Sequence, residues 1–368
     1  MHPSTTYGNH GGNSSERVIE MSPTSPHWVS LAKIPPLFES DLGSVQAVDH
    51  QAFPLLNGLS IKRVVLAPNT LREPQWNVNA NQLAYVVRGE VFVSMLGSGN
   101  QFSSFVAGEG QMYHVESGSV YHIENLAATE AEVIIALRSE QPQHFSLRDS
   151  FSAMTDSVLG NTYDLPSSAF DAFARPDAQQ ILPRQTNSSV SPTDRFPNAH
   201  LFDVEGQHPP TAYDYGSARL ARKQFWAALE DLSMYSLRIK ENGMRDAHWH
   251  PVTAEMGYVA QGRARMRVLD PDVTLDEYEL DTGDVYFVPR AYPHHIEVLG
   301  DEAFHFLIFF DQPTPGDIGY RTTATAFSRE VLASTLGVDE RDVPDFPFTT
   351  TDPLIVGRRN PTPAPKTA

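Results

Sequence analysis

The chain has 368 residues with 27 basic against 45 acidic groups, a formal charge of −18. That balance excludes a binder of phosphate backbones, which needs basic surface to displace counterions, and it argues equally against an anionic membrane surface. The lack of cysteine excludes disulfides, thiolate zinc sites, iron–sulfur clusters and a cysteine nucleophile, so any metal must sit on His, Asp or Glu.

At about 150 residues per domain the length predicts two domains. Residues 1–25 are polar and Gly/Ser/Asn-rich, which predicts a disordered segment. They contain no apolar signal-peptide core, and no run in the chain approaches the ~18 apolar residues of a membrane span. A cytoplasmic protein is therefore expected. A first β body is predicted over 26–175, with strands at Leu83 to Val93 and Val133 to Leu137 and helices at 148–160 and 167–174. Pro-containing polar stretches make 176–212 a linker. A second body follows over 213–345, with strands at Val285–Val288 and Phe304–Phe310 and a helix at 328–336 behind the N-cap candidate Ser328. Residues 346–368 read as a Pro-rich tail.

An internal repeat decides the architecture. LREPQWNVNANQLAYVVRGEV (71–91) aligns with MRDAHWHPVTAEMGYVAQGRA (244–264), pairing Arg72 with Arg245, Trp76 with Trp249, Tyr85 with Tyr258 and Gly89 with Gly262. Without a gap, the same offset of 173 residues superposes Gly110 on Gly283, Tyr113 on Tyr286 and His122-Ile123-Glu124 on His295-Ile296-Glu297. The chain is a tandem duplication of a mainly β domain, with evenly spaced strands of the sandwich or barrel kind.

Chemistry concentrates in the second copy. His248 and His250 are two apart and share one strand face; Glu255 opens the next strand, and His294 arrives after the Gly283-Asp284 turn and Pro289. Three imidazoles and a carboxylate converging inside a barrel suit one first-row divalent ion with open coordination positions. His295 competes with His294, and strand alternation lets only one of the two point inward.

These residues resemble the two motifs of the cupin superfamily. His-x-His-x4-Glu-x6-Gly is met by His248, His250, Glu255 and Gly262, and Gly-x5-Pro-x4-His by Gly283, Pro289 and His294. The two-copy arrangement, with MRDAHWH, GDVYFVP and PHHIE, looks most like the bicupins of the oxalate decarboxylase family. The resemblance implies tandem double-stranded β-helix (jelly-roll) barrels and metal ligation by His248, His250, Glu255 and His294. It implies manganese as the ion, although iron, nickel, copper and zinc suit the same ligands. It also implies dioxygen as a co-substrate, a small carboxylate substrate facing Arg245, and a homo-oligomer, trimeric or hexameric.

In the first copy the ligand positions hold Gln75, Asn77, Gln82 and Tyr121. Neutral amides and a protonated phenol are poor ligands, so this barrel is expected to be metal-free, a structural partner or a holder of a polar organic ligand. In the family a lid-loop glutamate after the first barrel handles the proton that replaces carbon dioxide. Glu140 is near that place but above the metal-free site, and the loop after the second barrel offers Asp317 instead, a candidate proton donor. The leading reading is thus an oxalate decarboxylase-like enzyme. A dioxygenase, oxidase or isomerase of a larger metabolite, and a non-catalytic storage or binding bicupin, are the alternatives. Phe287, Phe306 and Ile308 are expected to line the site.

Overall fold

The computed structural model describes residues 26–173, 180–186, 191–192 and 198–360. The segment 1–25 and the end of the tail, 361–368, lie outside the described residues, as do 174–179, 187–190 and 193–197 at the end of the first body and in the linker.

Strand alternation sorts each copy's apolar side chains onto two faces. In the first copy Ala84, Val86, Val133 and Ile135 fill a barrel interior, while Leu83, Tyr85, Ile134 and Ala136 on the same strands face outward. The second copy repeats the pattern, with Val259, Phe304, Phe306 and Ile308 inside and Met256, Tyr258, Leu307 and Phe309 outside. Each copy consists of one seven-stranded and one six-stranded sheet with antiparallel pairing throughout. The outward faces of the two seven-stranded sheets pack on each other, so a third apolar core joins the barrels. Phe287 belongs to that joint core and not to the barrel lining, contrary to the sequence expectation; Phe306 and Ile308 do line the barrel. The reason is the period of two, since Tyr286 and Val288 on either side take the inward positions.

The duplication extends to strands that cross between the barrels. Trp28–Ser30 pairs with Asp284–Tyr286 of the second barrel, and Leu201–Asp203 pairs with Gln111–Tyr113 of the first. Each copy therefore completes the edge of the other's sheet.

The domain boundaries read from sequence cut through this pairing. Ile181–Pro183 and Leu201–Asp203, inside the expected linker, pair with first-barrel strands, and Thr211–Tyr213 forms the edge of the second barrel's sheet. Ile355–Gly357, inside the expected tail, pairs with Gly243–Arg245. Three-residue strands are too short for periodicity to reveal.

The predicted helix at 148–160 is two helices, Leu147–Ala153 and Asp156–Tyr163, each capped by a hydroxyl, Ser146 on Asp149 N at 3.0 Å and Thr155 on Val158 N at 3.2 Å. The described part of the stretch predicted at 167–174, residues 167–173, contains only a 3₁₀ turn at Ser167–Phe170. Arg329–Leu336 is helical behind Ser328 as expected, and a helix at Tyr320–Thr325 adds to it. Among the described residues no helix is long and apolar enough to cross a membrane.

Candidate metal centre

The strand Gly243–Trp249 brings Arg245 and His248 to the barrel interior together. A regular strand would send residues three apart to opposite faces, but a bulge between them adds the extra step. His250 follows the strand's last residue, Glu255 opens Glu255–Gln261, and His294, the cross-strand partner of His248, opens His294–Leu299. All four side chains are buried, and one ligand atom from each lies within 4.8 Å of the others. His295 points to the other face, 3.5 Å from Glu297, which resolves the choice between the adjacent histidines.

Hydrogen bonding sets the tautomers. His248 Nδ1 lies 2.8 Å from the Asp246 carbonyl, His294 Nδ1 2.9 Å from that of Tyr292, and His250 Nδ1 3.2 Å from that of Gly316. A carbonyl only accepts, so each Nδ1 carries a proton and each Nε2 is directed to the common centre. His248 Nε2 is buried without a hydrogen-bond partner, and His294 Nε2 has only a 3.3 Å approach to Glu255 Oε2. Imidazole lone pairs stranded in a buried centre beside a carboxylate are what a divalent cation satisfies, so the donor set fits a metal. Glu255 is itself held from behind, where the Tyr286 hydroxyl donates to its Oε1 at 2.6 Å. Gly257 makes that contact sterically feasible: a Cβ there would overlap the Tyr286 ring.

Charges around the centre are tightly coupled. Burial, then the positive field of Arg245, His294 and His250, pushes His248 well below the ordinary imidazole range. Burial opposes charge on His250 as well, but its bonds to Asp317 and Glu255 carry it up to about 9. For Glu255 burial is outweighed by His294 and His250, which hold its carboxyl well below the usual range.

Arg245 is fully engaged. Its Nη1 donates to Asp246 and, at 3.2 Å, to the Leu354 carbonyl, and its Nη2 donates to Asp317 Oδ2 at 2.5 Å. The other Asp317 oxygen lies 2.9 Å from His250 Nδ1. Asp317 therefore joins the arginine to a ring of the candidate ligand set and accepts on both sides. Against the cost of its burial, Arg245 and His250 hold it well below the usual carboxylate range. Glu140 is elsewhere, its Oε2 accepting from Gly58 N at 2.9 Å.

A cupin family model matches residues 29–169 and 207–343. The chain belongs to the cupin family. Both barrels match, so it is a bicupin. It is similar to the oxalate decarboxylase OxdC of Bacillus subtilis (strain 168), 24% identical over 287 residues that cover 75% of this chain and 73% of the relative. A probable oxalate decarboxylase of Arthroderma benhamiae is 22% identical over 304 residues, covering 78% and 73%. Germin-like protein 3-8 of Oryza sativa subsp. japonica is 31% identical over 128 residues, 33% of this chain and 57% of that one. In structure, the B. subtilis oxalate decarboxylase at pH 4.6 superposes with a TM-score of 0.82 at 20% identity, covering 92% and 90% of the two chains.

The bicupin's first barrel has the same frame without the same donors. Gln75, Asn77, Gln82 and Tyr121 are buried there, and the Tyr121 hydroxyl donates to Gln82 Oε1 at 2.8 Å. Sequence reasoning missed Tyr286, Gly257 and Asp246. The signal for Tyr286 was available, because a tyrosine recurs in both copies, but nothing in a strand sequence says which hydroxyl reaches which carboxylate.

Proposed function

We propose that this bicupin is an oxalate decarboxylase-like metalloenzyme acting on a small carboxylate, with one divalent ion per chain on His248, His250, Glu255 and His294. The observation that carries the reading is the set of Nε2 atoms aimed at one buried carboxylate, two of them without a hydrogen-bond partner. Manganese is the proposed ion, in keeping with the Mn(II) centres of the B. subtilis oxalate decarboxylase. Iron, nickel, copper and zinc fit the same donors.

When bound, the ion supplies Lewis acidity and a template for the substrate. The protein supplies the rest. Carbonyl acceptors on the three Nδ1 atoms lock the rings, and Tyr286 fixes Glu255. Arg245 offers a planar guanidinium to a substrate carboxylate and offsets charge that develops as the C–C bond breaks. That carboxylate competes with Asp317 for Nη2, so the loop carrying Asp317 yields as substrate enters. Asp317 acts here as a positioning residue for His250 and Arg245.

Decarboxylation converts hydrogenoxalate to carbon dioxide and formate, and the retained carbon gains a proton. A second reading, oxidation, passes two electrons from oxalate to dioxygen, which also takes up two protons from the oxalic acid or solvent, and yields two carbon dioxide and hydrogen peroxide. The double acceptor role of Asp317 favours it, since that carboxylate has no proton to give in this arrangement. Elemental analysis combined with formate and peroxide measured from oxalate tests both. One ion per chain with either product supports the enzyme, and a metal-loaded protein that yields neither sinks the oxalate reading in favour of a larger metabolite or a binding role.

We further propose self-association through the helical segments. Val158, Leu165, Val331 and Leu336 present exposed apolar side chains there. Light scattering is expected to give a multiple of 40.8 kDa, trimeric or hexameric. A strict monomer at micromolar concentration would refute it.

A further inference from the structure

We propose that the first barrel is a metal-free binding site for a small carboxylate, built from Arg72, Lys62, Asn77, Gln82 and Tyr113. The repeat places each at a position with a counterpart in the metal-type barrel. Lys62 stands where the second copy has Tyr235, Gln82 where it has Glu255, and Arg72 where it has Arg245. At the rim His144 replaces Asp317. Negative positions have become neutral or cationic.

Lys62 pairs in register with Ile135 and shares the inward face of its strand with Val64, so it points into the barrel. It is 6% exposed and Arg72 is 2% exposed. Among the described residues neither has an ion-pair partner. Arg72 Nη2 donates to Gln75 Oε1 at 3.1 Å, while its Nε and Nη1 have no acceptor. Gln82 Nε2, Asn77 Nδ2 and the Tyr113 hydroxyl are likewise buried and unpartnered. Arg72 is close enough to act on both Lys62 and Tyr113, and Tyr121 joins Gln82 to the same group. Glu73, the acid nearest Arg72 in sequence, is drawn instead to Arg148 at 3.6 Å.

A cluster of this kind is costly unless something completes it. Two cations are desolvated together, and each buried donor left unmade forfeits the hydrogen bond it would have had in water. Each of the five unpartnered atoms on Arg72, Gln82, Asn77 and Tyr113 can donate, which calls for an acceptor, and the two cations favour one that is negatively charged. Two cationic side chains with amide and hydroxyl donors suit the oxygens of a carboxylate. Burial and then Arg72 bring Lys62 down to about 7, with Asp49 pulling the other way, so an arriving anion also draws a proton onto it.

The test is calorimetric titration of malonate and acetate into the full chain near pH 7, in two buffers of different ionisation enthalpy. His250→Ala, which disables the proposed metal site, is expected to keep one carboxylate site per chain, so the outcome does not depend on the metalloenzyme reading. Lys62→Met is expected to weaken binding about 10- to 100-fold and to abolish the proton uptake. Arg72→Gln is expected to weaken it at least as much. If Arg72→Gln does not fold, Lys62→Met decides, since replacing a buried ammonium by an apolar chain of similar length does not threaten the fold. Carboxylate binding and proton uptake unchanged in Lys62→Met, or no site left in His250→Ala, would overturn the proposal.

Discussion

The two barrels share a backbone and differ in charge at a handful of inward positions. The second gathers Glu255, Asp246 and Asp317 around Arg245 and three imidazoles, a donor set for a cation. At the corresponding positions the first has Gln82, Glu73 and His144, with Lys62 added, and Glu73 turns to Arg148. One frame thus presents acceptors at one centre and donors at the other. Where the metal-type donors are replaced by amides and a phenol, the requirement for negative charge at the centre is relaxed, and the replacements present donors instead.

The comparison breaks first at the ligands. Replacing His250 by Ala in the second barrel is expected to take metal content from one ion per chain to near zero and to abolish turnover, read by elemental analysis. The same change at its counterpart, Asn77→Ala, is expected to leave metal content unaltered. Two ions per chain in the wild type would erase the asymmetry altogether.

Arg245→Lys comes next. Lysine keeps the charge but not the planar grip, so the ion is expected to stay while turnover falls by a factor of roughly 100 to 1000, about 2.7–4 kcal/mol of transition-state contact. Metal loss in this variant would instead assign Arg245 to holding the centre together.

Gly257→Ala sharpens the contrast at smaller scale. The added Cβ displaces Tyr286 from Glu255, and loss of such a supporting hydrogen bond is expected to weaken metal affinity about 10- to 100-fold. The first barrel already contains this state, with Ala84 at the corresponding position and a Tyr113 hydroxyl that has no partner. Tyr286→Phe should reproduce the loss, and wild-type affinity in both variants would remove Tyr286 from the site.

Much of this was legible in the sequence, and the reasons are physical. The constant offset exposes the duplication, and the period-two rule places His248 with His250 and turns His295 outward. Features that depend on a break in that period were not legible. The bulge that turns Arg245 inward beside His248 leaves no mark in composition, and the crossing strands at Trp28–Ser30 and Leu201–Asp203 are too short to show alternation. Phe287 was misplaced because one apolar run serves two cores on opposite faces. Lys62 was hidden by its neighbour. In Ser60-Ile61-Lys62-Arg63 one cation must face inward, and the register with Ile135 together with the pairing of Arg63 with Glu132 at 2.6 Å shows that it is Lys62.

The last expected effect concerns stability and pH and leaves turnover aside. The folded Lys62 has a pKa of about 7 against an ordinary 10.5, set by burial and Arg72 against the weaker pull of Asp49. Below about 7 both folded and unfolded chains hold the proton, and the native state bears the full cost of a buried charge. Between there and 10.5 the unfolded chain binds the proton that the native chain has released, so stability rises with pH across that window. Lys62→Met lacks this dependence. It is expected to be more stable than wild type by a few kcal/mol at pH 6, with the advantage shrinking as pH rises toward 10. Denaturant titrations of both proteins at several pH values measure it. Added malonate should narrow the gap near pH 6 by stabilising only the chain that retains its lysine. A gap that does not move with pH would mean that Lys62 is solvated and holds its proton equally in both states, and the charge contrast between the barrels would then rest on Gln82 and His144 at the positions of Glu255 and Asp317.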